Sequence, residues 1–222
     1  CTATLHMTVP ASSSSLLPIA ISMGDAAGIG PEILFKTLQR EPTWVSRCRI
    51  YGPADWLRSQ AQRYGVDPQI EALPLQGQPA LGQIDAVAGE WAFRSIVAAT
   101  TAVLQGKARA LVTAPIHKEA MQRAGHVYPG HTELLAELAG GVPVRMMLAN
   151  PELRTVLVTI HMALHAALDA LSPEGIVQTL QITDASLRRF GIGRDRPGGR
   201  PCIAVAGLNP HAGEGGLFGR EE

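Results

Sequence analysis

The stretch LLPIAISMGDAAGIGPE, residues 16–32, decides the fold because a short apolar run leads directly into a glycine-rich loop and a helix start. The run at 16–23 is too short for a helix and is bounded by proline and glycine, so it predicts a buried β-strand. Pro31 suits the first turn of an α-helix and Glu32 complements its positive end, so we expect a helix that continues to about Arg40. This strand–loop–helix order is typical of an α/β protein.

Strands and helices continue to alternate along the chain. Residues 145–148 and 155–159 flank an Asn-Pro-Glu turn and predict a β-hairpin, whereas residues 67–83 are rich in proline and glycine and predict little regular structure. The alternation predicts a largely parallel sheet with helices on its faces, and such sheets bind ligands at the carboxyl ends of their strands. The other predicted elements are strands at 48–51, 108–113 and 202–206 and helices at 54–64, 90–104, 118–124, 132–138 and 173–190, the last with Ser172 as N-cap.

Composition and charge exclude several classes of protein. The 222 residues, 46% of them hydrophobic, suffice for one large α/β domain or two small ones. The 19 basic residues balance the 19 acidic ones, so the chain has no electrostatic footprint for nucleic acid or an anionic membrane surface. No apolar run approaches the roughly 20 residues that span a bilayer. We therefore expect a soluble globular protein with no nucleic-acid partner and no membrane partner.

Cysteine usage and the chain ends indicate a cytoplasmic protein. The 3 cysteines form no CxxC pair, which argues against a disulfide framework or a thiolate zinc site and fits a reducing compartment. No Lys or Arg precedes Lys36, so the chain lacks the basic region of a signal peptide. Because the chain opens on Cys1 and stops at Glu222 within a predicted loop, we expect a fragment whose second domain is truncated.

The loop after the first strand carries three glycines, Gly24, Gly28 and Gly30. Their spacing is not the GxGxxG fingerprint of dinucleotide-binding loops. Glycines at this position let the backbone turn tightly and expose amides at a helix start, where an anion or a nucleotide can bind. An ordinary strand-to-helix turn explains the spacing equally well, so both interpretations stay open.

Polar residues also follow a later predicted strand. The segment VTAPIHKEA at 112–120 places a histidine and a lysine behind the strand end, and PGHTE at 129–133 places His131 and Thr132 at a helix start. Thr132 is placed to cap that helix and to bind a phosphate or a carboxylate. A capping threonine and a surface histidine explain the segment without a ligand, and the residues alone favour this second interpretation.

Two single histidines follow the remaining predicted strands. His161 follows the apolar run at 156–160, and His211 opens a glycine-rich stretch. A lone histidine is more often structural than a ligand, but two at equivalent strand ends favour neutral imidazoles that converge on zinc, cobalt or manganese. Because a catalytic metal site usually has three protein ligands, a third must come from elsewhere in the chain, from a missing part or from a partner subunit. His126 and His165 flank helical segments and have no partner that the sequence identifies.

Taken together, these segments resemble the 4-hydroxythreonine-4-phosphate dehydrogenase family of vitamin B6 (pyridoxal phosphate) biosynthesis. The resemblance covers the chain from about Ile19 to its end, and four blocks in the family's order make it more specific than any single loop. The matching blocks are SMGDAAGIGPEI at 22–33, VTAPIHKEA at 112–120, PGHTE at 129–133 and LNPHAGEGG at 208–216.

The resemblance implies an α/β fold of the isocitrate/isopropylmalate dehydrogenase type, with two α/β domains and the active site in the cleft between them. On this basis we expect a first domain at 16–128 and a second domain at 129–222, preceded by a flexible tail at 1–15, which is rich in Thr and Ser and has no periodicity. The resemblance also implies oxidation of 4-hydroxy-L-threonine 4-phosphate that depends on NAD(P) and a divalent metal. The 3-keto acid formed in this way loses carbon dioxide and gives 3-amino-2-oxopropyl phosphate.

Four site residues are implied by matching this sequence to the family. His131 and Thr132 match the substrate-binding pair. His161 and His211 match two of the three histidines that bind a divalent metal (zinc, magnesium, cobalt or manganese) in a site shared between the partners of a homodimer. Such a metal acts as a Lewis acid and as a template for the substrate. His117 stands where family members often carry asparagine, a difference that we expect to leave the activity intact.

Three rival functions are compatible with parts of this pattern. A sibling dehydrogenase that oxidises a phosphorylated sugar acid or a ring diol-carboxylate would share the same machinery. A truncated chain that only dimerises or binds a phosphate ligand would show no turnover. A metal hydrolase using His161 and His211 is disfavoured, because no carboxylate lies near either histidine in the usual spacing.

Overall fold

The structure, a computed structural model, describes residues 17–222, and the tail predicted at 1–15 lies outside them. The chain forms two compact units, of which the first ends at Val142 and the second spans Pro143–Glu222. None of the helices within residues 17–222 combines the length and the hydrophobicity that a membrane span requires. The domain limits implied by the family resemblance stay a prediction.

The first unit is built on a parallel sheet of four strands: β1 (Ile19–Ser22), β2 (Cys48–Gly52), β3 (Gln69–Ala72) and β4 (Ala110–Thr113). The strand order is β3-β2-β1-β4, and Ser22 lies opposite Thr113 where β1 and β4 end. Because parallel neighbours end at the same edge of a sheet, the loops that follow β1 and β4 emerge side by side. The largely parallel α/β sheet predicted from the sequence is confirmed for this unit.

The strand β3 lies in the segment where little regular structure was predicted. It pairs with β2 alone, at the edge of the sheet, and most of its residues are exposed. An edge strand buries little apolar surface, so its residues need not alternate between apolar and polar. The sequence of β3 therefore carried no strand signal.

Helices cover the sheet of the first unit, and the longest of them packs closely because its residues are small. Ala99 and Ala102 of this helix lie in one buried cluster with Ala20 of β1. A Cβ atom on its Gly89 would lie 2.1 Å from the carbonyl oxygen of Ala120, so only glycine allows this approach. The helices are α1 (Gly30–Arg40), α2 (Ala54–Gln62), α3 (Ala86–Leu104), α4 (Lys118–Arg123) and α5 (His131–Leu138), with a 3₁₀ turn at Pro42–Arg47.

The second unit contains a two-stranded antiparallel sheet and two α-helices among its described elements. The predicted hairpin is confirmed, and the side-chain oxygen of Asn150 accepts hydrogen bonds from the amides of Glu152 and Leu153 at its turn. Ser172 is confirmed as a helix N-cap, since its Oγ accepts a hydrogen bond of 3.1 Å from the amide of Gly175. The elements are β5 (Met147–Ala149), β6 (Arg154–Val156), α6 (Leu164–Asp169), α7 (Pro173–Arg189) and 3₁₀ turns at Pro197–Gly199 and Pro210–Gly216.

The strand predicted at 202–206 is wrong. The structure has no strand in this segment, and the sheet of the second unit contains only β5 and β6. A β-strand requires a hydrogen-bonded neighbour, and no strand among the described residues pairs with 202–206. Apolar composition alone therefore did not produce a strand here.

Candidate functional site

The loops after β1 and β4 touch each other at the carboxyl edge of the sheet. Gly24 has a φ of 74°, and a Cβ atom there would lie 2.4 Å from the carbonyl oxygen of Pro115. The amide of Asp25 donates a hydrogen bond of 2.8 Å to the same oxygen. Glycine is needed at position 24 because the backbone is left-handed and because the neighbouring chain occupies the space of a side chain.

Asp25 determines the shape of the glycine-rich loop. Its side chain is buried, and its Oδ1 accepts a hydrogen bond of 2.9 Å from the amide of Ala27. The amide of Gly28 donates to the carbonyl oxygen of Asp25 at 3.2 Å. Three amides of the loop, those of residues 25, 27 and 28, are thus used within the protein. The geometry therefore favours the strand-to-helix turn over an anion-binding loop at these amides.

His117 has a structural role at the start of α4. It is the N-cap of that helix, and its Nδ1 accepts a hydrogen bond of 3.3 Å from the amide of Ala120. Sequence reasoning did not assign this role, because histidine is not among the residues preferred at N-caps. This hydrogen bond gives His117, which directly precedes Lys118, a capping role that requires no bound ligand.

His131 and Thr132 are the first two residues of α5. The predicted N-cap role of Thr132 is wrong, because Gly130 is the N-cap residue and Thr132 already lies inside the helix. The first amides of a helix have no intrahelical partner and carry the positive end of the helix dipole. The start of α5 is consequently suited to an anionic group such as a phosphate or a carboxylate.

The environment of His131 favours the neutral form of its imidazole. Burial lowers the pKa of His131 below that of an ordinary histidine. The Nε2 atom of His131 is buried and has no hydrogen-bond partner within residues 17–222. Because a buried polar atom without a partner costs free energy, this nitrogen gains stabilisation from a ligand group that can pair with it.

His161 and His211 share an uncommon backbone conformation. Their φ angles are 55° and 54°, in the left-handed region that is unfavourable for residues with a side chain. The prediction that both histidines directly follow strands is wrong: β6 ends at Val156, well before His161, and no strand of the described residues leads into His211. His211 lies in the turn Pro210–Gly216, whose backbone stays left-handed through Gly215. Strained backbone of this kind is frequent at functional sites.

His161 and His211 are of the right chemical type to bind a divalent metal, but two ligands are too few for a complete site. Neutral imidazole is a good ligand for zinc, cobalt and manganese. No group of three or more His, Cys, Asp or Glu side chains that could hold a metal occurs in the part of the chain that the structure describes. His161 and His211 can therefore provide at most part of a metal site, and no reaction step follows from their geometry.

His126 has the partners that the sequence could not identify. Its Nε2 lies 2.6 Å from Oε2 of Glu90, and its ring stacks on Phe93. Both partners belong to α3, far from His126 along the chain. Sequence patterns indicate neighbours within one helix or strand, so the contact between His126 and Glu90 could not be predicted from the sequence.

The sequence and the fold are similar to those of known proteins. Residues 35–222 match the family model "Pyridoxal phosphate biosynthetic protein PdxA". The chain is 42% identical to a 4-hydroxythreonine-4-phosphate dehydrogenase of Beijerinckia indica, over 92% of this chain and 64% of the relative. It is 39% identical to a D-threonate 4-phosphate dehydrogenase of Salmonella typhimurium, over 92% of this chain and 67% of the relative. The chain thus spans about two thirds of the length of these relatives.

Solved structures of 4-hydroxythreonine-4-phosphate dehydrogenases are also similar to this chain. A crystal structure of 4-hydroxythreonine-4-phosphate dehydrogenase from Klebsiella pneumoniae matches with a TM-score of 0.79 and 38% identity, over 92% of this chain and 67% of that one. The corresponding protein from Burkholderia phymatum matches with a TM-score of 0.77 and 36% identity, over 93% and 67%. These likenesses confirm the α/β fold class predicted from the sequence.

Proposed function

Because the chain belongs to the PdxA family of pyridoxal phosphate biosynthetic proteins, we propose that it oxidises 4-hydroxy-L-threonine 4-phosphate with NAD(P) in vitamin B6 biosynthesis. The carbon-bound hydrogen of the 3-hydroxyl carbon leaves as hydride to the nicotinamide, and the hydroxyl proton is released, which gives a 3-keto acid. The bond to the carboxylate then breaks and carbon dioxide leaves. Protonation of the resulting enolate gives 3-amino-2-oxopropyl phosphate.

The observation that carries this proposal is the start of α5. His131 offers a buried nitrogen without a protein partner in residues 17–222, and Thr132 offers a hydroxyl group next to it in sequence. The helix amides and the helix dipole add a positive potential, which the carboxylate of Glu133 in the first turn partly offsets. Together these groups suit a small substrate that carries hydroxyl groups and a negatively charged group, as a phosphorylated hydroxy acid does.

Within this proposal His131 orients the substrate. Burial favours the neutral imidazole. In that form Nε2 can accept a hydrogen bond from a substrate hydroxyl or donate one to a substrate oxygen, depending on the tautomer. The helix that carries it is anchored, since Leu134 of α5 is fully buried in a cluster with Ile96 of α3. A side chain on an anchored helix can hold a substrate in one orientation, which is a large part of catalysis.

We also propose a divalent metal, whether zinc, magnesium, cobalt or manganese, with His161 and His211 as two of its ligands. The third ligand would come from elsewhere in the chain, from a part of the protein that these 222 residues do not cover, or from a second copy of the chain in a homodimer with a shared site. A bound metal of this kind lowers the pKa of a substrate hydroxyl and stabilises negative charge on its oxygen. The place of action would be the cytoplasm, where the nicotinamide pool and small phosphorylated metabolites are available.

A second candidate is oxidation of a phosphorylated sugar acid. The relatives named D-threonate 4-phosphate dehydrogenase favour it, because one of them is 39% identical over 92% of the chain. The two substrates differ at carbon 2, which carries an amine in one and a hydroxyl in the other. The same oxidation and decarboxylation would convert the sugar acid into a hydroxyketone phosphate.

Reduction of NAD(P) with each substrate distinguishes the candidates. NADH or NADPH absorbance is followed with 4-hydroxythreonine 4-phosphate and with D-threonate 4-phosphate, with added divalent metal and after treatment with a chelator. The proposal predicts metal-dependent turnover with a higher kcat/KM for the amino acid. A higher kcat/KM for threonate would favour the second candidate. A folded chain that turns over neither substrate would contradict both and favour a binding role alone.

A further inference from the structure

A group of five residues holds the segment between α4 and α5. We call this group the ring clamp: Glu90 and Phe93 on α3, His126 and Tyr128 in the segment, and Glu137 on α5. The rings of His126 and Phe93 are nearly parallel, with centroids 3.6 Å apart and planes at 11°. The ring of Tyr128 also stacks on Phe93, with a centroid distance of 6.3 Å and planes at 17°. The segment is thus attached to α3 through two rings.

Hydrogen bonds fix both ends of the ring clamp. His126 Nε2 lies 2.6 Å from Oε2 of Glu90, whose other oxygen accepts a hydrogen bond of 2.9 Å from Arg94. The hydroxyl of Tyr128 donates to Oε1 of Glu137 at 3.1 Å. Burial alone would raise the pKa of Glu90, but its hydrogen bonds with His126 and Arg94 outweigh burial, and the pKa is lowered. The acceptor of His126 is therefore a charged carboxylate at neutral pH.

The backbone of His126 is fixed as firmly as its side chain. Gly125 ends α4 with a φ of 91°, and its amide donates to the carbonyl oxygen of Gln122 at 2.9 Å. The amide of His126 donates to the carbonyl oxygen of Met121 at 2.9 Å. These two bonds form a Schellman motif, which sets the direction in which the chain leaves a helix. His126 therefore joins the end of α4 to the surface of α3.

The segment that the ring clamp holds ends just before the proposed substrate-binding residues. Tyr128 is followed by Pro129 and Gly130, and α5 begins at His131. The middle of α5 is held by Leu134 in the core. The contacts of Tyr128 with Phe93 and Glu137 hold the chain directly before the residues that lead into the first turn of α5.

We propose that Glu90 and His126 are positioning residues, which place His131 and Thr132 for the substrate through the ring clamp. This inference rests on the proposed function for its effect on turnover. The side chain of Glu90 is 36% exposed and that of His126 is 22% exposed. Solvent screens this pair in part, which limits its contribution to global stability. Its effect should instead appear in the placement of the first turn of α5.

Two substitutions and a control separate positioning from general stability. In His126→Leu the side chain still packs on Phe93, but the hydrogen bond to Glu90 is lost. In His126→Gln an amide nitrogen can donate to Glu90 in place of the imidazole. The control is His165→Leu in the second unit, where the side chain is 91% exposed and its nitrogen lies 3.8 Å from Asp169.

Each variant of the 222-residue chain is measured in two ways. The NMR resonances of the His131 ring report its surroundings without turnover, and the KM values for the phosphorylated substrate and for NAD report function. We expect His126→Leu to shift the His131 resonances. It should also raise the substrate KM by about tenfold and leave the KM for NAD nearly unchanged, because a substrate-binding group is displaced. His126→Gln should restore much of both signals, and His165→Leu should change neither.

The inference would be overturned if His126→Leu left both the His131 resonances and the substrate KM as in the wild type. It would also be overturned if the KM values for substrate and NAD rose equally in His126→Leu and were not restored in His126→Gln, because that result indicates general destabilisation. A wild-type chain without turnover would contradict the proposed function alone. In that case a shift of the His131 resonances in His126→Leu still supports the positioning role, and unshifted resonances refute it.

Discussion

Replacing Gly24 by alanine tests how closely the loops after β1 and β4 pack. The added Cβ would lie 2.4 Å from the carbonyl oxygen of Pro115 and 2.9 Å from two atoms of Ala114. The backbone at Gly24 also has a φ of 74°, which residues with a side chain rarely adopt. Gly65 is a matched control, because its φ is 64° but no heavy atom outside its immediate neighbours lies within 4 Å of a Cβ there.

The expected loss of stability has two parts. A left-handed backbone costs a residue with a side chain about 1–2 kcal/mol. Overpacking against neighbours that cannot move costs a further 1–3 kcal/mol or so. Gly24→Ala should therefore lower the free energy of unfolding by about 2–5 kcal/mol in total, whereas Gly65→Ala should lower it by about 1–2 kcal/mol or less.

Urea unfolding followed by tryptophan fluorescence measures this difference. The 3 tryptophans of the chain, Trp44, Trp56 and Trp91, all belong to the first unit, so the signal reports on the unit that contains both glycines. The difference between the two variants isolates the contact with Pro115. Equal losses for Gly24→Ala and Gly65→Ala would refute the close approach of the two loops.

Three further predictions concern the histidines. His131→Ala should raise the KM for the phosphorylated substrate by roughly tenfold to a hundredfold, as loss of a hydrogen bond to a charged group does, and should affect the KM for NAD less; equal effects on both would argue against substrate contact. His161→Ala should remove the stimulation of turnover by divalent metal. The circular dichroism should stay unchanged, because the side chain is exposed. Persistent stimulation would contradict a ligand role. Because burial lowers the pKa of His131, the unfolded chain binds this proton more tightly, so stability should fall as the pH drops below the ordinary histidine value of about 6.5. His131→Gln should make urea unfolding less dependent on pH in this range, and an equally steep dependence would show that His131 is not its source.

Strong local signals in the sequence predicted much of the fold. The apolar run and the glycine-rich loop around β1 predicted a strand and a helix, and both are present. Ser172 before Pro173 and Glu174 predicted the N-terminus of α7, because capping depends on residues that are adjacent in sequence. Features of this kind are encoded locally and can be recognised without knowing the fold.

The features that the sequence did not predict depend on distant partners. The strand β3 forms because β2 offers hydrogen bonds, whereas the segment at 202–206 lacks such a neighbour and forms no strand. His126 and Glu90 are brought together by the packing of α4 on α3.

The most direct test of the central claim, that the start of α5 binds a phosphorylated substrate for oxidation, compares substrates with and without the phosphate. NAD reduction by the wild-type chain and by His131→Ala is measured with 4-hydroxythreonine 4-phosphate and with 4-hydroxythreonine. We predict turnover of the phosphorylated compound by the wild type, a much higher KM in His131→Ala, and poor use of the unphosphorylated compound. Equal use of both compounds, or an unchanged KM in His131→Ala, would contradict the claim.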